Sequence, residues 1–314
     1  MAASIGLAAA AIAAADTFPN RQIDLIVPFV AGGTTDTVAR LIAQRFSERW
    51  GQPVIVNNRP GGGSAIGTSL VAKASPDGHT LLVTTFALAV IPSLQKQSFD
   101  PLKDFAPITE IATIPLMLVV HPSLPVHDVK EFIAYSKTQQ RGLDYATSGP
   151  GTSTHLAAEM FRVMTGANLV HVPFKGNAEV LNALLGGHVK VHFALTASTL
   201  QHVRSGALRA LAVTTNKRIP ELPDVPTIAE LGYPDYEISS WQGVFAPAGT
   251  PKDVIAKLGA EIVAMLKTSE VRTRITHEGA IPVGSSPEQF SERFKIEIEK
   301  WAKVAKSAGL AAAN

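Results

Sequence analysis

The sequence predicts an α/β protein whose two domains face each other across a hinged cleft, and three observations carry that expectation. Short β-prone apolar runs are repeatedly followed by glycine-rich turns and then by apolar residues at helical spacing, the pattern of strand–turn–helix units in an open sheet. The chain has 314 residues and 46% hydrophobic content, enough for two buried cores. Two turn-rich stretches, one from Phe99 to Pro107 and one around Pro220, Pro223 and Pro226, interrupt the repetition and read as crossings between domains.

The first unit, Ile23–Ala43, joins the strand residues Leu25, Ile26 and Val27 to the helical stripe Val38, Leu41 and Ile42. Pro28 ends the strand, Gly32 and Gly33 supply the turn, and Thr34, Thr35 or Asp36 is placed to cap the helix. Backbone N–H groups at such a corner lie at the positive end of the helix dipole, so an anion is held there without lysine or arginine. Asp36 also has the position to shape the turn around a ligand.

A second strand, Pro53–Asn57, leads through Asn58–Ser64 into the helical segment Ala65–Ala74. A third, His79–Thr85, ends on Thr84, Thr85 and Phe86. Beyond the first crossing come strand Pro115–Val120, helix Val126–Ser136, strand Asp144–Thr147, the turn Ser148–Thr154 and helix His155–Thr165. Strand Leu169–Pro173, the turn Phe174-Lys175-Gly176, helix Asn177–Leu185, strand Val189–Leu195, helix Ser198–Ser205 and strand Leu208–Thr214 follow. After the return crossing, Ser240–Phe245 precedes a helix carrying Val254, Leu258, Ile262 and Met265, and Glu288–Lys306 forms another with Phe290, Phe294, Ile298 and Trp301 on one face. The crossings divide the chain into a discontinuous domain, 16–114 with 239–314, and an inserted domain, 115–238.

Composition excludes several functions. With 17% charged residues, a net charge of +2 and 6% aromatics not interleaved with basic clusters, the chain has no nucleic-acid platform. Cysteine is absent, which removes thiolate metal sites and thiol nucleophiles. Ile5–Ala15 resembles a secretory apolar region ending at a small-residue cleavage site, although residues 1–4 carry no positive charge, so 1–15 is expected to be a signal segment and the mature chain extracytoplasmic. No later run reaches the ~18 apolar residues of a membrane span, so the mature chain is expected to be soluble.

Catalytic and cofactor patterns fail in specific ways. Gly62 and Gly67 have phosphate-loop spacing, but Thr68-Ser69 stand where a lysine is needed, and Gly61-x-Gly63 continues to Ile66 instead of a third glycine. Gly151-x-Ser153-x-His155 lacks the last glycine of a nucleophile elbow; a helix cap accounts for the same residues, and a hydrolase or transferase using Ser153 and His155 is the alternative reading. His188 and His192 have helical ligand spacing, yet Val189, Val191 and Phe193 alternate as a strand does. Neither metal nor cofactor is expected.

What remains is neutral donors at turns: the backbone of Gly32–Thr35 and Gly62–Ser64, the hydroxyls of Thr84 and Thr85, the Ser148–Thr154 turn and the Phe174–Gly176 turn. Several oriented donors replace the hydration shell of a carboxylate without a formal positive charge. Lys175 either adds charge to its turn or is a solvated surface lysine. Phe29, Phe86, Phe174 and Trp241 either wall the cleft or belong to the core.

Seven ordered blocks resemble one family: Pro28–Arg40 (PFVAGGTTDTVAR), Asn57–Gly67 (NNRPGGGSAIG), Ser75–Leu82 (SPDGHTLL), Ser148–Phe161 (SGPGTSTHLAAEMF), His171–Gly176 (HVPFKG), Gly206–Thr215 (GALRALAVTT) and Trp241–Pro251 (WQGVFAPAGTP). The family is the Bug, or TctC-like, periplasmic solute-binding receptors of tripartite tricarboxylate transporters. The resemblance implies a type II periplasmic-binding-protein fold, a carboxylate ligand and delivery to membrane permease subunits; the chain is expected to perform no catalysis and to be a monomer. A soluble partner that presents solute to a sensor is a further alternative. The resemblance places ligand contacts at Phe29, Gly32, Gly33, Thr34 and Thr35, beside the Asp36 read above as shaping that turn, near Ser64, Thr84 and Thr85, and in the second domain at Ser148, Gly151, Thr152, Phe174, Lys175 and Gly176.

One departure from the family bears on the ligand. Where relatives often read VDVMFD, this chain reads Val189-Lys190-Val191-His192-Phe193-Ala194, so the aspartate that meets a ligand ammonium in amino-acid-binding relatives is Ala194. An unpaired buried ammonium costs several kcal/mol. The resemblance therefore implies an aliphatic or aromatic dicarboxylate, and Phe174 in place of the more usual tyrosine points the same way.

Overall fold

The computed structural model describes residues 18–277 and 279–310, so the expected signal segment at 1–15 lies outside the described residues. The first units are β1 (Ile23–Val27), α1 (Thr34–Trp50), β2 (Val54–Asn58), α2 (Ala65–Ala72), β3 (Thr80–Thr85) and α3 (Ala87–Leu94). β1 pairs in parallel with β2 on one side and β3 on the other. Val38, Ala39, Ile42 and Phe46 of α1 join Leu25 and Val27 in one apolar cluster, which is why the stripe read from the sequence forms a helix here.

β4 (Phe105–Val120) is a 16-residue strand shared by two sheets. The sequence expects a turn at Phe105–Pro107 and a strand only from Pro115. Instead the strand begins at Phe105, and its register shifts between Pro107 and Thr109. A bulge tolerates proline because the ladder there does not need the missing N–H.

The second set comprises α4 (Val129–Thr138), β5 (Leu143–Thr147), α5 (Ser153–Thr165), β6 (Leu169–Pro173), α6 (Asn177–Leu185), β7 (Val191–Leu195), α7 (Thr196–Arg204) and β8 (Arg209–Val213). β5 runs parallel to β6 and β7, while β7 and β8 each pair antiparallel with the last residues of β4. The chain returns through β9 (Ser239–Pro247), α8 (Lys252–Leu266), α9 (Ser269–His277), β10 (Ile281–Pro282) and α10 (Pro287–Ser307). β9 lies antiparallel between β3 and the first part of β4, ending at the pair Pro115–Ser239. The next residue, Leu116, already pairs with Leu195 of β7. Among the described residues no helix is long and apolar enough to cross a membrane.

α10 links the two sheets as well. It starts in a reciprocal cap, Ser286 Oγ accepting the Gln289 N–H at 3.2 Å and Gln289 Oε1 accepting the Ser286 N–H at 3.0 Å. Its apolar face then carries Phe290, Phe294 and Trp301 into one cluster that runs from Leu82 and Phe86 through Trp241 to Leu156, Phe161 and Phe193 of the second sheet. At its far end the Ala308 carbonyl accepts from Arg162 of α5 at 3.5 Å. Phe86 and Trp241 are therefore core residues, and the Trp241 ring meets Phe290 edge-on at 5.3 Å.

This packing leaves no room at Gly243 of β9, where an added Cβ lies 2.3 Å from Phe290 Cζ. Gly243→Ala should therefore destabilise the protein by about 1–3 kcal/mol through overpacking, read as a lower urea midpoint with unchanged slope.

Candidate ligand-binding cleft

In the first lobe the predicted corner between β1 and α1 is built around Asp36. The sequence expects Thr34, Thr35 or Asp36 to cap α1; in the structure Gly33 is the N-cap, without a side-chain cap, and Asp36 instead reaches back to the turn. Its Oδ2 accepts the Gly32 N–H at 2.9 Å and Arg40 Nε at 2.9 Å, and its Oδ1 accepts Asn58 Nδ2 at 3.1 Å. Asn58 Nδ2 also donates to the Phe29 carbonyl, tying β2 to the start of the loop. Burial alone would raise the Asp36 pKa, but the bonds from Arg40, Gly32 and Asn58 outweigh it and hold the carboxyl below its usual range. Asp36 thus shapes the turn, with Gly32 at φ +86° where only glycine is comfortable. Thr34, the first residue of α1, is exposed and its hydroxyl accepts Gln242 Nε2 at 3.0 Å, which couples the head of the helix to β9. Arg40, Asn58 and Gln242 escaped the sequence reading; only the i,i+4 spacing of Asp36 and Arg40 signalled one of them.

Two further corners lie beside it. Ser64 is buried and is the sole non-glycine with positive φ among the described residues, at +92°. Its Oγ has no hydrogen-bond partner, and neither has Oγ1 of the fully buried Thr84. Backbone strain and orphaned buried hydroxyls each cost free energy, and strain of this kind clusters at functional sites. Thr85 Oγ1 accepts the Ala87 N–H at 3.3 Å at the start of α3.

The second-lobe loop between β5 and α5 directs its own N–H groups inward. Ser148 donates to Thr154 Oγ1 at 3.1 Å, Gly149 to Thr147 Oγ1 at 3.2 Å, and Gly151 to His155 Nδ1 at 3.0 Å. The expected Gly151 donor is therefore engaged within the protein. The N–H groups of Ser153 and Thr154, the first helical residues of α5, have no i−4 acceptor within the helix. The cap here is Thr152, whose hydroxyl donates to the Gly149 carbonyl at 2.7 Å. The Ser153/His155 alternative finds no nucleophile–base pair, because the Nδ1 lone pair of His155 holds Gly151.

Phe174 is half-buried against the cluster of Met117, Val180 and Leu184, Lys175 is exposed, and Gly176 caps α6 with φ +120°. The Lys175 N–H donates to Glu179 Oε2 at 3.1 Å. Ala194 is 0% exposed within the same apolar cluster and supplies no polar atom. His192 Nδ1 lies 2.9 Å from the Ala146 carbonyl, and among the described residues no three His, Asp or Glu side chains are grouped to hold a metal.

Between the lobes a cavity of about 300 Å³ is lined by Gly63, Leu94 and Gln95 on one side and Pro150 and Gly151 on the other; of the residues expected to meet ligand, only Gly151 lines it. An added Cβ on Gly151 lies 2.6 Å from Leu94 Cδ1, so the second-lobe loop sits directly against α3.

A family model described as the tripartite tricarboxylate transporter family receptor, TctC, matches residues 38–310. The chain belongs to the TctC receptor family. One TctC relative, Protein BugT of Bordetella pertussis, is 38% identical over 97% of this chain and 95% of its own length. Rhodopseudomonas palustris Rpa4515, solved with adipate, is 40% identical and superposes with a TM-score of 0.80 over 94% of this chain and 100% of that one. MatC from Rhodopseudomonas palustris, solved with bound malate, is 34% identical with a TM-score of 0.75 over 91% and 99%. As a TctC receptor the protein is a non-catalytic, periplasmic solute-binding protein with the two-lobed type II fold.

Proposed function

We propose that this receptor binds a dicarboxylate lacking an amino group and hands it to membrane permease subunits. One carboxylate would lie against Phe29, Gly32–Thr35, Ser64, Thr84 and Thr85, the other against Ser148–Thr154 and the Phe174–Gly176 turn. The observation that carries this reading is the pair of buried, partnerless hydroxyls at Ser64 and Thr84. They suit an acceptor-rich ligand. Two positions that could meet an ammonium do not offer a free carboxylate, because Asp36 is engaged by its own loop and position 194 is alanine. Adipate in Rpa4515 and malate in MatC are ligands of this class.

The lobes in this reading are 18–114 with 239–310, and 115–238, divided where β4 changes partners between Pro115 and Leu116. Closure gives each lobe's donors the second carboxylate of a solute already held by the other, so ligand shifts the population toward the closed state.

Calorimetry of ligand-free refolded protein against adipate, malate, succinate, benzoate, aspartate and glutamate tests the proposal. A dicarboxylate should bind at least about tenfold more tightly than its amino-acid counterpart. A blank across the panel, or preference for glutamate, would overturn it. Ser64→Ala and Thr84→Val should each weaken binding by about tenfold while leaving the ligand-free protein as stable or more stable, because each removes an orphaned buried hydroxyl.

A further inference from the structure

We propose that His155 is the positioning residue of the second-lobe loop, its Nδ1 lone pair fixing Gly151 so that the corner at the head of α5 is held ready for the solute. This rests on the receptor reading above and adds to it the group that sets the loop's geometry.

The contact at 3.0 Å has one polarity. Gly151 contributes an N–H, so His155 Nδ1 is the acceptor, the ring is neutral and its proton sits on Nε2. The ring plane is fixed independently. His171 of β6 stacks on it at 4.1 Å and 17°, and Tyr145 of β5 stacks on His171 at 5.3 Å and 22°. The stack is itself anchored. Tyr145 donates to Glu159 Oε1 at 2.6 Å, Arg162 binds the other carboxylate oxygen of Glu159 through Nε and Nη2, and His171 Nε2 lies 2.6 Å from Thr147 Oγ1, which also accepts the Gly149 N–H.

Two glycines of the loop are thereby tied to the two members of a stacked histidine pair, Gly151 directly and Gly149 through Thr147. Both adopt positive φ, +126° at Gly149 and +74° at Gly151, which glycine reaches without strain but among many alternatives, so the ties to the histidine pair select one conformation. Because Gly151 also abuts Leu94 of α3, a displaced corner disturbs the head of α5 and the approach of the lobes together.

The test uses the geometry of the acceptor atom. An asparagine carbonyl oxygen reaches the place of Nδ1, whereas a glutamine carbonyl oxygen reaches that of Nε2. With adipate as the calorimetric probe at pH 7.5, His155→Ala should bind about tenfold or more weakly than wild type, His155→Gln should resemble alanine, and His155→Asn should restore affinity to within about threefold. Thermal unfolding of each variant monitors folding, and if alanine does not fold, the asparagine–glutamine comparison decides. Nitrogen NMR of the wild-type histidine rings should show His155 as the Nε2–H tautomer. An Nδ1–H tautomer, glutamine rescuing as well as asparagine, or alanine binding like wild type would each overturn the assignment. If no dicarboxylate in the panel binds the wild type, the receptor reading fails instead, and the ring tautomer still decides whether His155 holds Gly151.

Discussion

Replacing Asp36 with alanine should lower dicarboxylate affinity by about 10–100-fold and destabilise the protein by about 2–3 kcal/mol, measured by calorimetry and urea unfolding respectively. The carboxylate is 3% exposed and accepts from Gly32, Arg40 and Asn58 at once. Truncation leaves the Gly32 N–H and one Asn58 donor without that acceptor, and the loop that grips the solute in our reading loses the bond that sets its turn. The stability cost falls at the low end for a broken buried pair because the Arg40 side chain is 57% exposed and regains water. Asp36→Asn keeps one acceptor for Gly32 and should lie between alanine and wild type. Arg40→Ala should cost least, since its partner retains two other donors. If Asp36→Ala binds adipate as wild type does, the β1–α1 corner is not part of the site.

How much of this was legible depends on how local the signal was. The β1–α1 corner was readable because its glycines, Asp36 and the helical stripe fall within a few residues of one another. Its second anchor, Asn58, lies at the end of a different strand, and nothing in Pro53–Ser64 marks that amide as reaching Phe29 and Asp36. α3 was missed because ALAVIPSL is apolar on every face, where periodicity does not separate a buried helix from a strand. The continuous strand β4 was concealed by Pro107, whose turn meaning is overruled by a bulge. The tie that α10 makes between the sheets was unreadable for a different reason. The apolar stripe of α10 was evident, but a stripe does not say that it covers Phe86 on one side and reaches Phe161 on the other. At the second-lobe corner, the sequence read Ser153 and His155 as a helix cap or a catalytic pair. Only the fold shows that the imidazole faces Gly151, four residues back.

Acidification should unfold this protein earlier than its carboxylates alone would predict, because buried histidines are held neutral. Burial pushes His155 down to about 4, with the neighbouring His171 adding to it, and burial pushes the fully enclosed His192 down to about 4 against the opposing Ala146 carbonyl. An unfolded histidine titrates near 6.5, so between about pH 6.5 and 4 the unfolded chain holds protons that the folded chain does not. Their stabilisation is complete above about pH 6.5 and is lost as the pH falls toward about 4. Glu110 works in the opposite sense. Burial pushes its carboxyl up to about 7 in spite of Arg293, whose Nη1 lies 2.8 Å from both oxygens. Its contribution is therefore complete below the unfolded value of about 4.5 and is lost as the pH rises through about 7. Each group changes stability by about 1.4 kcal/mol per pH unit inside its window. Two histidines against one glutamate leave a net loss of about 3 kcal/mol between pH 6.5 and 4.5, to which the lowered His171 adds in the same direction. Urea unfolding across that range should show the slope, and two variants should move it oppositely. His192→Gln should flatten it by about one proton, whereas Glu110→Gln should steepen the acid loss by about one proton. Slopes that do not respond to either change would mean that these groups titrate alike in the folded and unfolded chain, and that the acid sensitivity has another source.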